Sequence, residues 1–209
     1  MAVDLAELVA PEHTAVVTSE VQRGVVGDAS ALPELAQAAR ESGTIECAGT
    51  VVRAARAVGV RVVHCVAHHR GDRLGGNSNA RLFNAMRRSS IGMLPGSPAV
   101  EVVPEVGVEQ SDLVLPRLHG LSPMAGTSLD ALLRNMGVHT IVAVGVSVNI
   151  AITNLAFDAV NAGYQCVIPR DAVTGVPLDY AQTVIDNTLS LVATLTTTAA
   201  LVDIWKAGS

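Results

Sequence analysis

The sequence predicts an α/β protein, a three-layer α/β/α sandwich built on a six-stranded, mostly parallel sheet. Three observations carry that expectation. Short apolar runs recur along the chain, most of them apolar at consecutive positions, as strands covered on both faces are. Longer stretches with helical periodicity separate these runs, giving the βαβ rhythm of a parallel sheet. Finally, 49% of the 209 residues are hydrophobic and 16% charged, with one Trp, two Tyr and two Phe, so a core of Ala, Val and Leu is available to cover both faces.

In chain order, residues 13–18 (His-Thr-Ala-Val-Val-Thr) read as the first strand. A helix over 32–42 follows, with Ser30 as a possible cap and Pro33 in its first turn, and Gly43 stops it. The helical pattern resumes over 45–58 and ends at Gly59. Residues 61–66 and 112–115 are the next two strands. The irregular Gly-, Asn- and Pro-rich stretch around 70–108 between them reads as an insertion within one domain spanning 1–209, with one short helix near 80–87. Thr127 or Ser128 caps a helix over 129–136 that Gly137 terminates. Strand 140–145, the most β-branched, leads to a helix over 148–162 closed by Gly163, then strand 165–168 and an apolar-striped segment over 179–193. A sixth strand is expected near 191–196.

Composition excludes several classes of function. A net charge of −5 with no Lys/Arg run leaves a nucleic-acid or anionic-membrane surface without electrostatic support. No apolar stretch reaches the roughly 18 residues of a membrane span, and no signal peptide is visible. Three dispersed cysteines, Cys47, Cys65 and Cys166, fit reduced thiols in a cytoplasmic protein. The expected partner is a small-molecule substrate, with no cofactor. The Ala/Val-rich helices and low charge favour a homo-oligomer, a dimer or tetramer.

Ligands of open parallel sheets bind beyond the carboxyl ends of the strands. Polar residues collect there: Glu20, Gln22 and Arg23 after the first strand, His68, His69, Arg70 and Asp72 after the second, Arg117 and His119 after the third. Ser147 and Asn149 follow the fourth, and Arg170 and Asp171 the fifth. Gln22 and Asn149 are equally readable as substrate hydrogen-bonders or as partners for backbone groups. His64, His68, His69 and Asp72 lack the spacing of a metal site, since adjacent histidines point to opposite faces of a strand. His68 and His119 are expected at the substrate instead, and Asp171 is expected to hold a neighbouring loop.

Residues 14–22 (Thr-Ala-Val-Val-Thr-Ser-Glu-Val-Gln) resemble the opening strand of the isochorismatase-like hydrolases, which carry Asp where Glu20 stands. Residues 122–129 (Ser-Pro-Met-Ala-Gly-Thr-Ser-Leu) are similar to that family's Ser-x-Phe-x-Gly-Thr-x-Leu segment, and Arg117 stands where it has a catalytic Lys. Residues 145–151 (Gly-Val-Ser-Val-Asn-Ile-Ala) resemble its Gly-x-x-Thr-x-x-Cys turn, with Ala151 in place of the cysteine. Gly163-Tyr164 and Arg170-Asp171-Ala172 extend the likeness, which covers roughly residues 13–196.

The resemblance implies a site at Glu20, Arg117 and Ala151 and a cis peptide between Val146 and Ser147; together with the strand-end residues, this puts Gln22, His68, His119, Val146, Ser147 and Asn149 as the candidates around the substrate. A methyl at position 151 disfavours the family's thiolate chemistry, and Cys65 and Cys166, inside apolar strands, read as structural thiols. The family's cysteine-free branch cleaves vinyl ethers. Protonating the enol carbon there creates an oxocarbenium-like centre that water captures. Glu20 is the expected acid. Arg117 is expected to orient it or to clamp a substrate carboxylate, because Arg stays charged and does not relay protons as Lys can. The expected function is hydrolysis of a small, carboxylated metabolite. The alternative is a catalytically silent member that binds a metabolite or serves as an oligomeric interaction protein, and a cysteine-type amidase ranks third.

Overall fold

The computed structural model describes residues 4–208. Its strands are β1 (Thr14–Ser19), β2 (Arg61–Ala67), β3 (Leu113–Arg117), β4 (Thr140–Val146), β5 (Gln165–Pro169), β6 (Val173–Thr174) and β7 (Thr194–Thr196). They form one sheet in the order β3-β2-β1-β4-β5-β7, with β6 beside the end of β4, and every strand pair is parallel. The sheet therefore has six strands in line, as expected, and a seventh that the sequence reading missed. β6 is two residues long and exists only because Gly145 and Val146 offer it a partner.

Side chains alternate between two cores because successive Cβ atoms leave a strand on opposite faces. Val16, Val62, Val142 and Val144 pack on one side under α2 (Pro33–Glu41), α3 (Thr44–Ala57) and α8 (Thr198–Ala207). Ala15, Val17, Ile141 and Ala143 pack on the other under α5 (Leu129–Asn135), α6 (Thr153–Asn161) and α7 (Leu178–Asn187). Both faces are covered, which is the three-layer sandwich.

Local chemistry accounts for several boundaries. Thr127 Oγ1 accepts from Leu129 N–H at 3.1 Å at the start of α5, so Thr127 rather than Ser128 supplies the side-chain oxygen there. Ser30 does not cap α2; it ties the preceding loop, donating to Val25 O at 2.6 Å and accepting from Leu32 N–H at 2.9 Å. The segment expected to be helical over 179–193 ends at Asn187, passes through a 3-10 turn (Leu189–Leu191) and becomes β7. The short α1 (Leu5–Leu8) and α8 were missed, although α8 has a readable cap in Thr197, whose Oγ1 accepts from Ala200 N–H at 3.2 Å. The insertion contains α4 (Arg81–Arg88), close to its expected place.

The edge strand β3 is anchored at its start by a buried polar chain. His64 Nδ1 accepts from Thr18 Oγ1 (2.9 Å), and its Nε2 donates to Asp112 Oδ2 (3.2 Å), since a carboxylate only accepts. Asp112 also takes the guanidinium of Arg56 from α3 (2.5 Å) and Glu109 N–H (2.7 Å). Burial pushes the His64 imidazole below its ordinary 6.5, against the pull of Asp112. Burial opposes ionisation of Asp112 too, but Arg56, the Glu109 amide and His64 outweigh it and hold that carboxyl below its usual range.

Folding stability should follow from these shifts. With its folded value depressed, His64 is neutral in both states above about 6.5; below that the unfolded chain takes up a proton that the folded chain resists. Melting temperature is expected to fall as pH drops from 7 to 5, and the fall should flatten in His64→Gln. Asp112 adds a further loss only below the ordinary carboxylate range, near pH 4 and under. A parent profile no steeper than the variant's would contradict this.

Candidate active site

Strand order reverses between β1, which leads toward β2 and β3, and β4, which leads toward β5. A crevice opens beyond the strand ends at such a switch point. It is a cavity of about 450 Å³, within the range of small-molecule sites.

Three tight backbone features meet at the ends of β1 and β4 beside it. Gly145, at φ 110°, lies against β1: a Cβ there would collide with Ser19 O and come within 2.6 Å of Val21 Cγ2. Ser19 Oγ donates to Val146 O at 2.9 Å, and the Val146–Ser147 peptide is cis, as the resemblance implies. Glu20, at φ 53°, occupies the left-handed region that non-glycine residues seldom adopt. Its N–H donates to Cys65 O at 2.9 Å, fixing the turn that carries its side chain off the end of β1.

Arg117, the last residue of β3, donates from Nη2 to Glu20 Oε1. The two residues, far apart in sequence, meet across β2. The Arg117 side chain is 8% exposed and that of Glu20 17%. Nε and Nη1 of Arg117 are buried without a partner, so the guanidinium is short of acceptors. An under-satisfied buried cation is costly, and it calls for an anion.

Ser147 and Ala151 both line the cavity. A π-turn (Val148–Ile152) leads into α6, and Ser147 O accepts from Ile150 N–H (3.1 Å) and Ile152 N–H (3.0 Å). Ala151 presents only a methyl. None of Cys47, Cys65 and Cys166 lines the cavity. Cys65 is buried near the Glu20–Arg117 pair, and burial pushes its thiol up to about 12, with Arg117 opposing and Glu20 adding to the shift. Burial alone raises Cys166 to about 12.

His68, His119 and Asn149 line the cavity as well. Burial, and secondarily His69, pushes the His68 imidazole below its ordinary value, so it is neutral near pH 7. His119 packs over Gly126, whose Cβ position lies 3.0 Å from His119 Cε1. Asn149 donates from Nδ2 to Val176 O at 3.3 Å, and its Oδ1 is buried without a donor.

Two expected contacts are not at the cavity. Gln22 is fully buried, its Oε1 accepting from Ala67 N–H (2.7 Å) and its Nε2 donating to Ala67 O (2.9 Å) and Ala99 O (3.2 Å). Of the two roles open to Gln22, the geometry gives the backbone one. Val146 sends its side chain into the core, so only its peptide borders the site. Asp171 accepts from Thr198 N–H at 2.8 Å, holding the start of α8. His64 belongs to the buried chain under β3, and among the described residues no group of His, Cys, Asp and Glu converges to hold a metal ion. No helix of the described residues is long and apolar enough to cross a membrane.

The sequence reading overlooked the apolar wall: Leu35 of α2, Leu82, Phe83 and Met86 of α4, and Met93. The signal was present in α4, whose Leu82, Phe83 and Met86 recur at helical spacing.

Residues 14–200 match the family model described as the isochorismatase domain. The chain belongs to the isochorismatase family. It is 36% identical over 74 residues to the uncharacterized isochorismatase family protein YwoC of Bacillus subtilis, covering 35% of this chain and 39% of that protein. It is 27% identical over 142 residues to the ureidoacrylate amidohydrolase RutB of Pantoea ananatis, covering 63% of this chain and 56% of that one. The match thus spans about half or less of either curated relative. In fold, this isochorismatase-family chain superposes on a cysteine hydrolase from Pseudomonas syringae pv. phaseolicola 1448A with a TM-score of 0.78 at 20% identity, over 97% of this chain and 96% of that one.

Proposed function

We propose that this isochorismatase-family protein hydrolyses a small, carboxylated enol ether without a cysteine nucleophile. The observation that carries the reading is the Glu20–Arg117 pair in the cavity wall, with a methyl at Ala151 and no cysteine among the lining residues. Arg117 engages Oε1 of Glu20, leaving Oε2 as the oxygen that exchanges a proton with a ligand.

In this mechanism the substrate carboxylate supplies the acceptor that Arg117 lacks. Glu20 gives its proton to the terminal carbon of the enol-ether double bond, and positive charge develops at the oxygen-bearing carbon. Water adds to that carbon and returns a proton to Glu20. The hemiketal then breaks its C–O bond, releasing an alcohol and a ketone. A thiolate has no part in the sequence.

The test is turnover of isochorismate and a panel of enol ethers and small amides by the purified protein. Glu20→Gln is expected to lower kcat on the active enol ether by about 10² to 10⁴-fold, the range of a positioned acid, with the fold intact. Absence of turnover across the panel, together with a carboxylate that raises Tm, would replace the hydrolase with a metabolite-binding protein. The absence of any nucleophile at position 151 is what would favour that second reading.

A further inference from the structure

The strap between β2 and β3 carries charge of one sign. Residues 70–88 contain Arg70, Arg73, Arg81, Arg87 and Arg88 against a single acid, Asp72, in a chain whose net charge is −5. Asp72 is consumed locally, because Arg70 binds it with Nε to Oδ1 (2.9 Å) and Nη2 to Oδ2 (2.8 Å). Among the described residues, Arg73, Arg81, Arg87 and Arg88 form no ion pair. Two of these four, the half-buried Arg73 and the exposed Arg87, line the cavity.

The strap is held in place over the site. His69 N–H donates to Met93 O at 2.9 Å and Met93 N–H to His69 Nε2 at 3.2 Å, closing the base of the loop. Asn77 Oδ1 accepts from Gly120 N–H at 2.8 Å, fastening it to the turn after β3. Arg73 sits at φ 60°, with its N–H on Arg70 O (3.0 Å) and its O accepting from Gly76 N–H (3.2 Å), so the turn fixes where its side chain departs. The wall therefore has three zones: the buried Arg117 with Glu20, the apolar face of Leu82, Phe83 and Met86, and the cations Arg73 and Arg87 on the strap. Glu34 of α2 is the other acid lining the cavity, and Arg73 and Arg87 outnumber it.

We propose that the cavity selects ligands with two anionic groups separated by an apolar body, the outer carboxylate or phosphate being bound by Arg73 and Arg87. This rests on reading the Glu20–Arg117 cavity as the ligand site. Cations concentrated at one mouth of an otherwise acidic molecule also steer anions toward it.

Calorimetric titration at low salt compares octanoate, octanedioate and an ω-phosphono-octanoate. The two dianions are expected to bind at least about tenfold more tightly than octanoate, and salt should narrow that gap. Arg73→Gln/Arg87→Gln should abolish the advantage, so that in the variant both dianions bind no more tightly than octanoate does, and the ranking of the two dianions in the parent distinguishes carboxylate from phosphate. Equal binding of all three, an advantage that survives the double substitution, or no binding up to about 10 mM would overturn the proposal. A dianion preference without enol-ether turnover would sink the hydrolase reading alone, whereas turnover without that preference would sink only this inference.

Discussion

The double variant Glu20→Gln/Arg117→Met is expected to melt no lower than the parent while losing the proposed enol-ether turnover. Arg117 keeps a guanidinium at 8% side-chain exposure with Nε and Nη1 unpartnered, so its desolvation is only partly offset by Glu20. Replacing a buried pair with uncharged residues of similar volume is often neutral or stabilising by about 1 to 4 kcal/mol. Arg117→Met alone leaves the Glu20 carboxylate without its partner and should be less stable than the double variant. The loss should stay below the about 3 to 5 kcal/mol of a fully buried broken pair, because Glu20 retains 17% exposure and water screens it. Denaturant melts of the parent, the single and the double variant check the order. A double variant markedly less stable than the parent would mean that the pair holds the fold together rather than serving the site.

Gly145→Ala is expected to be the most destabilising single methyl in the chain. The residue sits at φ 110°, where an L side chain is strained, and a Cβ would meet Ser19 O and Val21 Cγ2. Backbone strain of about 1 to 3 kcal/mol and overpacking of about 1 to 3 kcal/mol together give about 2 to 6 kcal/mol, enough to unfold a marginal domain. Gly43→Ala is the control: its φ is 66°, but nothing lies within 4 Å of the added carbon, so only the backbone strain is incurred. Equal losses at the two positions would show that the approach of β1 to β4 is not tight.

The layered sheet was legible because burial on two faces leaves a one-dimensional trace: unbroken apolar runs such as Val142-Ala143-Val144, alternating with helical stretches closed by glycines such as Gly137 and Gly163. Much of the polar edge was legible for the same reason, since parallel strands deliver their carboxyl ends to one side. The pairing of Glu20 with Arg117 was anticipated only through the family likeness, because the spacing of two residues 97 apart in sequence says nothing of contact. Gln22 shows the limit. Its amide matches both a ligand and a backbone, and only the positions of Ala67 and Ala99 decide between them.

By itself, then, the sequence determined a doubly covered parallel sheet, most of the helices that cover it and a polar rim, properties that follow from local residue patterns. Tertiary structure alone decided which rim residues share a cavity, that Arg117 is left short of acceptors, and that the basic strap with its apolar helix lies over them. Those facts depend on the meeting of segments distant in the chain, and pairwise geometry of that kind leaves no imprint on local residue order.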